Sequence, residues 1–340
     1  MYIGLFLVLI LILVLPLTVK RLEENIEVFL FIMGILAIII SKTNSVHFFL
    51  EVLTDHFLYM ITGAVLIGSF LFRYANKYIQ KIIEYILTRV PLRLFIFLMI
   101  VIIGLISSII TAIIAALFLV EIIEMLPMSK NHKIKITIIT CFSIGLGSIL
   151  TPIGEPLSTI IATKLHLNFW YMLTHLGIYI IPAVVLLGIF GSLFGNKYVD
   201  PLDDMKLKIE KQTNISILLK ALDIYIFIIA LEMLGAGFRP LVDNYIIQLN
   251  SEFLYWINMS SAVLDNATLA AAEISTKMST NQINSIIIGL LISGGMMIPG
   301  NIPNIIAAGK LKIKSSEWMK FGLPLGLSIM GGYYIVLFVM

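Results

Sequence analysis

Cysteine is nearly absent from this chain of 340 residues: Cys141 stands alone, which excludes an internal disulfide and a cysteine-built metal centre. Charge is almost as scarce, at 13% of residues against 59% apolar ones, and the mean hydropathy is +1.03. That balance excludes an ordinary soluble domain and points to an integral membrane protein. The five histidines are scattered and none has an HExxH spacing, so an intramembrane zinc protease would lack its ligands. No basic residue precedes the apolar run Met1–Thr18; Lys20 and Arg21 follow it, so the run reads as a retained helix rather than a cleaved signal peptide. The net charge of +3 carries no nucleic-acid signal, because basic residues in a membrane chain mark its cytoplasmic side.

What is present is a series of apolar stretches near 2–18, 26–41, 55–73, 133–164, 169–195, 215–237, 281–311 and 316–340. A hydrocarbon core of ~30 Å takes about 20 such residues per helix. Two further stretches, 91–127 and 241–277, are too long for one crossing and carry a polar break in the middle. Each reads as a helical hairpin that enters and leaves on one side. With the N-terminus outside, 19 of the 23 Lys and Arg residues fall in cytoplasmic segments, leaving Lys42, Lys164, Arg239 and Lys277 outside. This bias predicts a plasma-membrane protein with both termini outside. Plain double crossings would keep much the same charge map, so the polar breaks must argue for re-entrance. The stretch 196–214 is too charged to cross and reads as a cytoplasmic linker. It separates N-terminal helices (1–54) and a first half (55–195) from a second half (215–340).

The halves resemble each other. "SSIITAIIAALFLVEI" at 107–122 parallels "SSAVLDNATLAAAEI" at 260–274, and "GEPLSTIIATKL" at 154–165 parallels "GNIPNIIAAGKL" at 300–311. In this topology the first hairpin opens to the cytoplasm and the second to the outside. The predicted fold is therefore an all-α polytopic membrane protein: an inverted-repeat transporter with two re-entrant helical hairpins and two broken transmembrane helices. Backbone that leaves the helix inside a membrane is tolerated only where protein or a water-filled cavity covers it. Such a break offers carbonyls to a cation and helix N-termini to an anion. Thr151, Pro152, Gly154, Glu155 and Pro156 mark one break; Ile298, Pro299, Gly300, Asn301 and Pro303 mark its twin. Hairpin tips at Ser107–Ala112 and Ser260–Thr268 bring hydroxyls, amides and Asp265 to the same depth. Oxygen donors of this kind suit sodium or a proton.

A carboxylate at Asp265 costs ~3 kcal/mol on insertion scales unless it has a partner or a function. The plainer account is a structural hydrogen bond to the tip. Glu155 carries a similar cost and reads as a direct participant in ion binding or proton exchange. Glu121 and Glu273 occupy matching positions. Glu273 lies ~12 Å along a helix from Asp265, too far to share one ion. These two either cap the hairpin ends or belong to a proton path. Asp223 and Glu232 carry no assigned role, and His175 reads as a structural hydrogen bonder. A catalytic pair gives no reason for a duplicated site, so no enzyme and no organic cofactor are expected.

"TPIGEPLST" and "SSAVLDNATLAAAE" resemble the signatures of the ion transporter superfamily, which includes NhaD-type sodium/proton antiporters, arsenite permeases and divalent anion/sodium symporters. The NhaD-type branch is the most similar: Thr151, Pro152, Ile153, Gly154 and Glu155 match its first-half loop, and Asp265-Asn266 its second tip. The resemblance implies a scaffold domain, a mobile transport domain moving as an elevator, and a homodimer. It also implies a sodium region at Ser107, Ser108, Thr111, Thr151 and Gly154, and a second at Asp265, Asn266, Gly300, Asn301 and Asn304; Thr268 joins the candidates from its place in the second tip. The anion symporters carry Ser-Asn-Thr at both tips; this chain has Thr111-Ala112 and Asp265-Asn266, and added carboxylate repels a dianion.

The expectation is thus sodium/proton antiport, with Asp265 and Glu155 exchanging protons against sodium at Thr151, Asp265, Asn266 and Asn301. The alternative is a sodium-coupled symporter whose small carboxylate or oxyanion meets Asn301, Asn304, Ser158, Thr159 and the half-helix N-termini. In either case the partners are a small ion and the lipid bilayer, with no nucleic acid.

Overall fold

The computed structural model describes residues 1–19, 22, 25–43, 89–195, 214–262 and 266–339, with 53–54, 58–59, 62–63, 66–67 and 70. Most of the expected crossing at 55–73, nearly all of the linker at 196–214, and Asp265 lie outside the described residues. So do the side chains of Thr268 and Asp223.

Every regular element among the described residues is helical. They are α1 (Tyr2–Thr18), α2 (Ile26–Ser41), α3 (Leu92–Ile110), α4 (Ala112–Met125), α5 (Lys130–Ser148), α6 (Pro156–Lys164), α7 (Tyr171–Ser192) and α8 (Asn214–Leu241). The order continues with α9 (Ser251–Ile257), α10 (Asn266–Glu273), α11 (Thr280–Met296), α12 (Ile302–Leu311) and α13 (Ser315–Phe338). A π turn (Val242–Ile246) follows α8, and single 3-10 turns follow α9 (Asn258–Ala262) and α11 (Ile298–Gly300). Among the described helices α3, α7 and α13 are long and apolar enough to cross a membrane. The protein is an all-α, membrane-embedded chain.

Burial separates the helices into two kinds. From Ile136 to Ser148 α5 is buried on every side, and so is α11 from Ser285 to Met296. By contrast α1, α2, α3, α7 and α13 each show a row of exposed Ile, Leu, Val or Phe, the surface a helix presents to lipid. The central pair meets at Phe142, whose ring packs against Gly295 of α11 and Gly326 of α13. Only hydrogen side chains leave room there, the small-residue packing that draws membrane helices together. Buried hydroxyls on α5 return to backbone: Thr140 Oγ1 donates to Ile136 O (2.7 Å) and Ser143 Oγ to Ile100 O (2.9 Å).

The register of contacts fixes directions. Ser143 meets Ile100, Ser107 Oγ meets Ile144 O, and Thr151 meets Ser108, so α3 and α5 run parallel. Since α4 ends only a few residues before α5 begins, and Lys133 Nζ donates to Glu124 O (3.0 Å), α4 must run back from Thr111 to the end where α3 started. Gln282 Nε2 donates to Ile247 O and Leu249 O, and Ser293 Oγ to Asn258 O, so α9 with its 3-10 turn runs parallel to α11. Lys277 Nζ bonds Asp243 Oδ2 at 2.5 Å, joining the two ends of that segment.

Two boundaries differ from the sequence reading. α8 runs through Pro240 to Leu241, four residues past the expected end, because a proline in the last turn removes one hydrogen bond and leaves the preceding turns intact. The expected hairpin at 241–277 is not two plain helices: its first leg is a π turn, a short α-helix and a 3-10 turn in succession.

Candidate functional site

The proline-glycine stretches that interrupt the apolar pattern leave the α-helix in the structure, the first through turns and the second through the 3-10 turn at Ile298–Gly300. α5 ends at Ser148 and α6 begins at Pro156; α11 ends at Met296 and α12 begins at Ile302. The residue ahead of each second segment is extended: Glu155 at φ −157°, ψ 164° and Asn301 at φ −153°, ψ 143°. Prolines in the first turn suit both starts, because their missing N–H would have had no helical partner. Gly154 and Gly300 allow the chain to fold back. A Cβ on Gly154 would collide with Ser148 O, and one on Gly300 would lie 2.5 Å from Ser261 O and 2.6 Å from Gly294 O.

At the first break the hydroxyls are all engaged. Thr151 Oγ1 donates to Ser108 O; Ser107 Oγ donates to Gly104 O (2.6 Å) and Ile144 O (3.1 Å), and Ser108 Oγ to Leu105 O (2.7 Å). Ser158 Oγ donates to Glu155 O (2.7 Å) and Thr159 Oγ1 to Pro152 O (2.8 Å). Ala112 N donates to Gly154 O (2.7 Å), which binds the α3–α4 turn directly to the break. Each hydroxyl keeps acceptor capacity after donating. Thr111 itself sits at φ 78°, ψ 149°, a region that belongs to glycine. Its Oγ1 accepts from Ile114 N at 3.4 Å, capping α4.

The second break differs in kind. Asn304 Nδ2 donates to Gly294 O and Met297 O, both at 2.8 Å, while its Oδ1 is buried without a partner. Those two donations fix the orientation of the amide, so the orphan atom is an acceptor. Ser261 Oγ is likewise buried and unpartnered, and so are Asn266 Nδ2 and Asn301 Nδ2. The three asparagines converge on Gly294, whose carbonyl accepts from Asn304: a Cβ there would lie 3.0 Å from Gly300 O, 3.5 Å from Asn266 Nδ2 and 3.7 Å from Asn301 Cβ. Asn301 also reaches the earlier half. Its Nδ2 would lie 2.7 Å from a Cβ on Gly145, one turn before α5 breaks. The two breaks are therefore neighbours. Cys141 Sγ approaches Pro303 O at 3.7 Å on the same contact, in a packing role.

The structure thus brings Ser107, Ser108, Thr111, Thr151, Gly154, Glu155, Ser158 and Thr159 together at one break, and Asn266, Gly300, Asn301 and Asn304 at the other. Asn258 and Lys164 are not singled out as site residues by the sequence, and Ser261 enters there only as part of the second tip. Asn258 and Ser261 are buried polar residues in an otherwise apolar run, a signal open to sequence reading. Lys164 Nζ donates to Ala271 O (2.5 Å) and Ile274 O (3.3 Å), tying the end of α6 to the end of α10 across Gly235. His175 bonds locally, its Nδ1 lying 2.9 Å from Tyr171 O. Among the described residues no group of His, Cys, Asp and Glu is arranged to hold a metal ion.

No curated protein matches the chain. A family model described as a protein of unknown function, DUF1646, matches residues 2–340. Because that match takes in both breaks and nearly the whole sequence, the chain belongs to the DUF1646 family.

Proposed function

We propose that this protein is a secondary active ion transporter that exchanges sodium, or a similar monovalent cation, for protons. The observation that carries the reading is the two buried, unpartnered oxygens at the second break, Asn304 Oδ1 and Ser261 Oγ, beside backbone that has left the α-helix. A buried acceptor without a donor costs about 1–3 kcal/mol, and a cation bound there removes that cost. Oxygens of this type match sodium rather than a soft metal.

The arrangement of the halves supports alternating access. Lys130 of α5 pairs with Glu317 at the start of α13 (3.6 Å), while α13 runs antiparallel to α11: Trp318 meets Gly295, and Met330 meets Tyr255, which itself lies against Gly289. α5 and α11 therefore approach the breaks from opposite ends of the molecule. α4 packs on α12 and α10 on α6, the exchange of partners that an inverted repeat with two re-entrant hairpins produces. The reading includes an elevator-type movement, a homodimer, and a plasma-membrane orientation with both termini outside.

The test is purified protein in liposomes under an imposed pH gradient, followed with a pH-sensitive dye. Added sodium should collapse the gradient, and Asn304→Ala and Asp265→Asn should each abolish the response. A dye that does not respond to sodium, lithium or potassium sinks the antiport reading. One observation favours a sodium-coupled anion symporter instead: Asn266 Nδ2 and Asn301 Nδ2 are buried donors near the N-terminus of α12. Sodium-dependent, saturable uptake of a labelled carboxylate or oxyanion without proton counterflow would establish that alternative.

A further inference from the structure

The carboxylate of Glu273 belongs to neither break. It closes α10, and its Oε2 is buried without a hydrogen-bond partner. Facing it from the other leg of the same helical pair is Asn258, wholly buried, whose side-chain amide is the polar neighbour of the Glu273 carboxylate. Asn258 Nδ2 also donates to Leu254 O at 2.9 Å, and its Oδ1 is buried and unpartnered. Turning the amide over would break the bond to Leu254, so both orphan atoms of the pair are acceptors.

The surrounding charges do not neutralise it. α10 packs against α6, α8, α11, the π turn and the 3-10 turn after α9. α11 and the 3-10 turn carry no ionisable residue. From the π turn, Asp243 is held by Lys277 and Ser275. From α6, the Lys164 ammonium is directed to Ala271 O and Ile274 O, with Glu232 and Arg239 of α8 as its electrostatic neighbours. Among the described residues no ion pair reaches Glu273. Hard cations gather about six oxygens, and this pair offers two unpartnered ones. A proton needs only one, and on Oε2 it removes the charge and converts an acceptor into a donor.

We infer that Glu273 and Asn258 form a buried proton site, distinct from the ion site at the breaks, in which a carboxyl proton holds the two legs of the second helical pair together. The inference does not rest on the transport reading. Between the pH at which an ordinary carboxyl loses its proton and the higher pH at which this site does, the folded protein holds more protons than the unfolded chain, so stability is lost as the pH rises through that window.

The experiment uses full-length protein in detergent. Dicyclohexylcarbodiimide reacts with protonated carboxyls in apolar surroundings, and mass spectrometry of wild-type peptides should find its adduct on Glu273 at neutral pH and lose it in alkali. Thermal unfolding should show a Tm that falls as the pH rises from mildly acid to just above neutral in the wild type, and falls less over that range in Glu273→Gln. No adduct at mildly acid to neutral pH, or an unchanged fall in Tm over that range in Glu273→Gln, overturns the site. A wild-type Tm raised by sodium over choline at fixed pH, and not in Glu273→Gln, overturns the proton assignment in favour of a metal cation. A Glu273→Gln protein that does not fold leaves the wild-type adduct to decide. None of these readouts requires transport, so their failure is separable from failure of the antiport reading.

Discussion

Thr111 and Asn304 show how much the site asks of single residues. A β-branched side chain at φ 78°, ψ 149° holds strain of about 1–3 kcal/mol, against which its cap to Ile114 N returns about 1 kcal/mol. Thr111→Gly should therefore raise stability by about 1 kcal/mol and Thr111→Ala should lower it by a similar amount, since alanine keeps the strain and loses the cap. Opposite shifts in Tm check this. Asn304→Ala removes the donor from Gly294 O and Met297 O together. The expected loss is about 2 kcal/mol or more, read in a denaturation series alongside the liposome assay. Residue types at such points were legible: Asn301, Asn304, Thr151 and Gly154 stand out in an apolar chain. Which of their atoms stay unpartnered was not, because that depends on carbonyls supplied by other helices.

At the scale of elements, the breaks are what local sequence reveals best. Proline and glycine act within a few residues, so the interruptions at 149–155 and 297–301 were visible in advance. The short first leg of the second helical pair was not, because its 3-10 turn packs on α11 and its π turn on α8 and α10, contacts that local sequence does not carry. Gly300 tests the tight contact of a break with the neighbouring tip. Gly300→Ala must push apart Ser261 O and Gly294 O, and should lower stability by about 1–3 kcal/mol and abolish any ion response. Gly309 lies in the same helix with nothing within 4 Å of an added Cβ. Gly309→Ala should stabilise by about 0.5–1 kcal/mol, with the ion response retained. Comparing both by thermal unfolding isolates the close approach from helix propensity.

For the whole molecule, the expectation concerns ends. Lys130, beside Glu317, and Lys277, beside Asp243, lie at opposite ends of the helical array. Since Cys141 is the single cysteine, a Cys141→Ala background is cysteine-free. Lys130→Cys and Lys277→Cys in that background should react with a membrane-impermeant maleimide from opposite faces of a vesicle. Labelling of both from one face would contradict the inverted arrangement. Losing the exposed Lys277–Asp243 pair itself should change stability by only about 0–1 kcal/mol.

The sequence by itself determined the solvent and the helical class: apolar content is a sum over residues, and a chain with so little charge has no stable home but lipid, where helices satisfy their own backbone. It also marked where two helices stop, because proline and glycine act locally. The tertiary structure alone decided which polar atoms meet. Thr151 finds Ser108, Asn301 finds Gly145 and Lys164 finds the end of α10 across separations that no periodicity encodes. Those contacts arise from close packing of small residues between helices, which depends on the shapes of both partners at once.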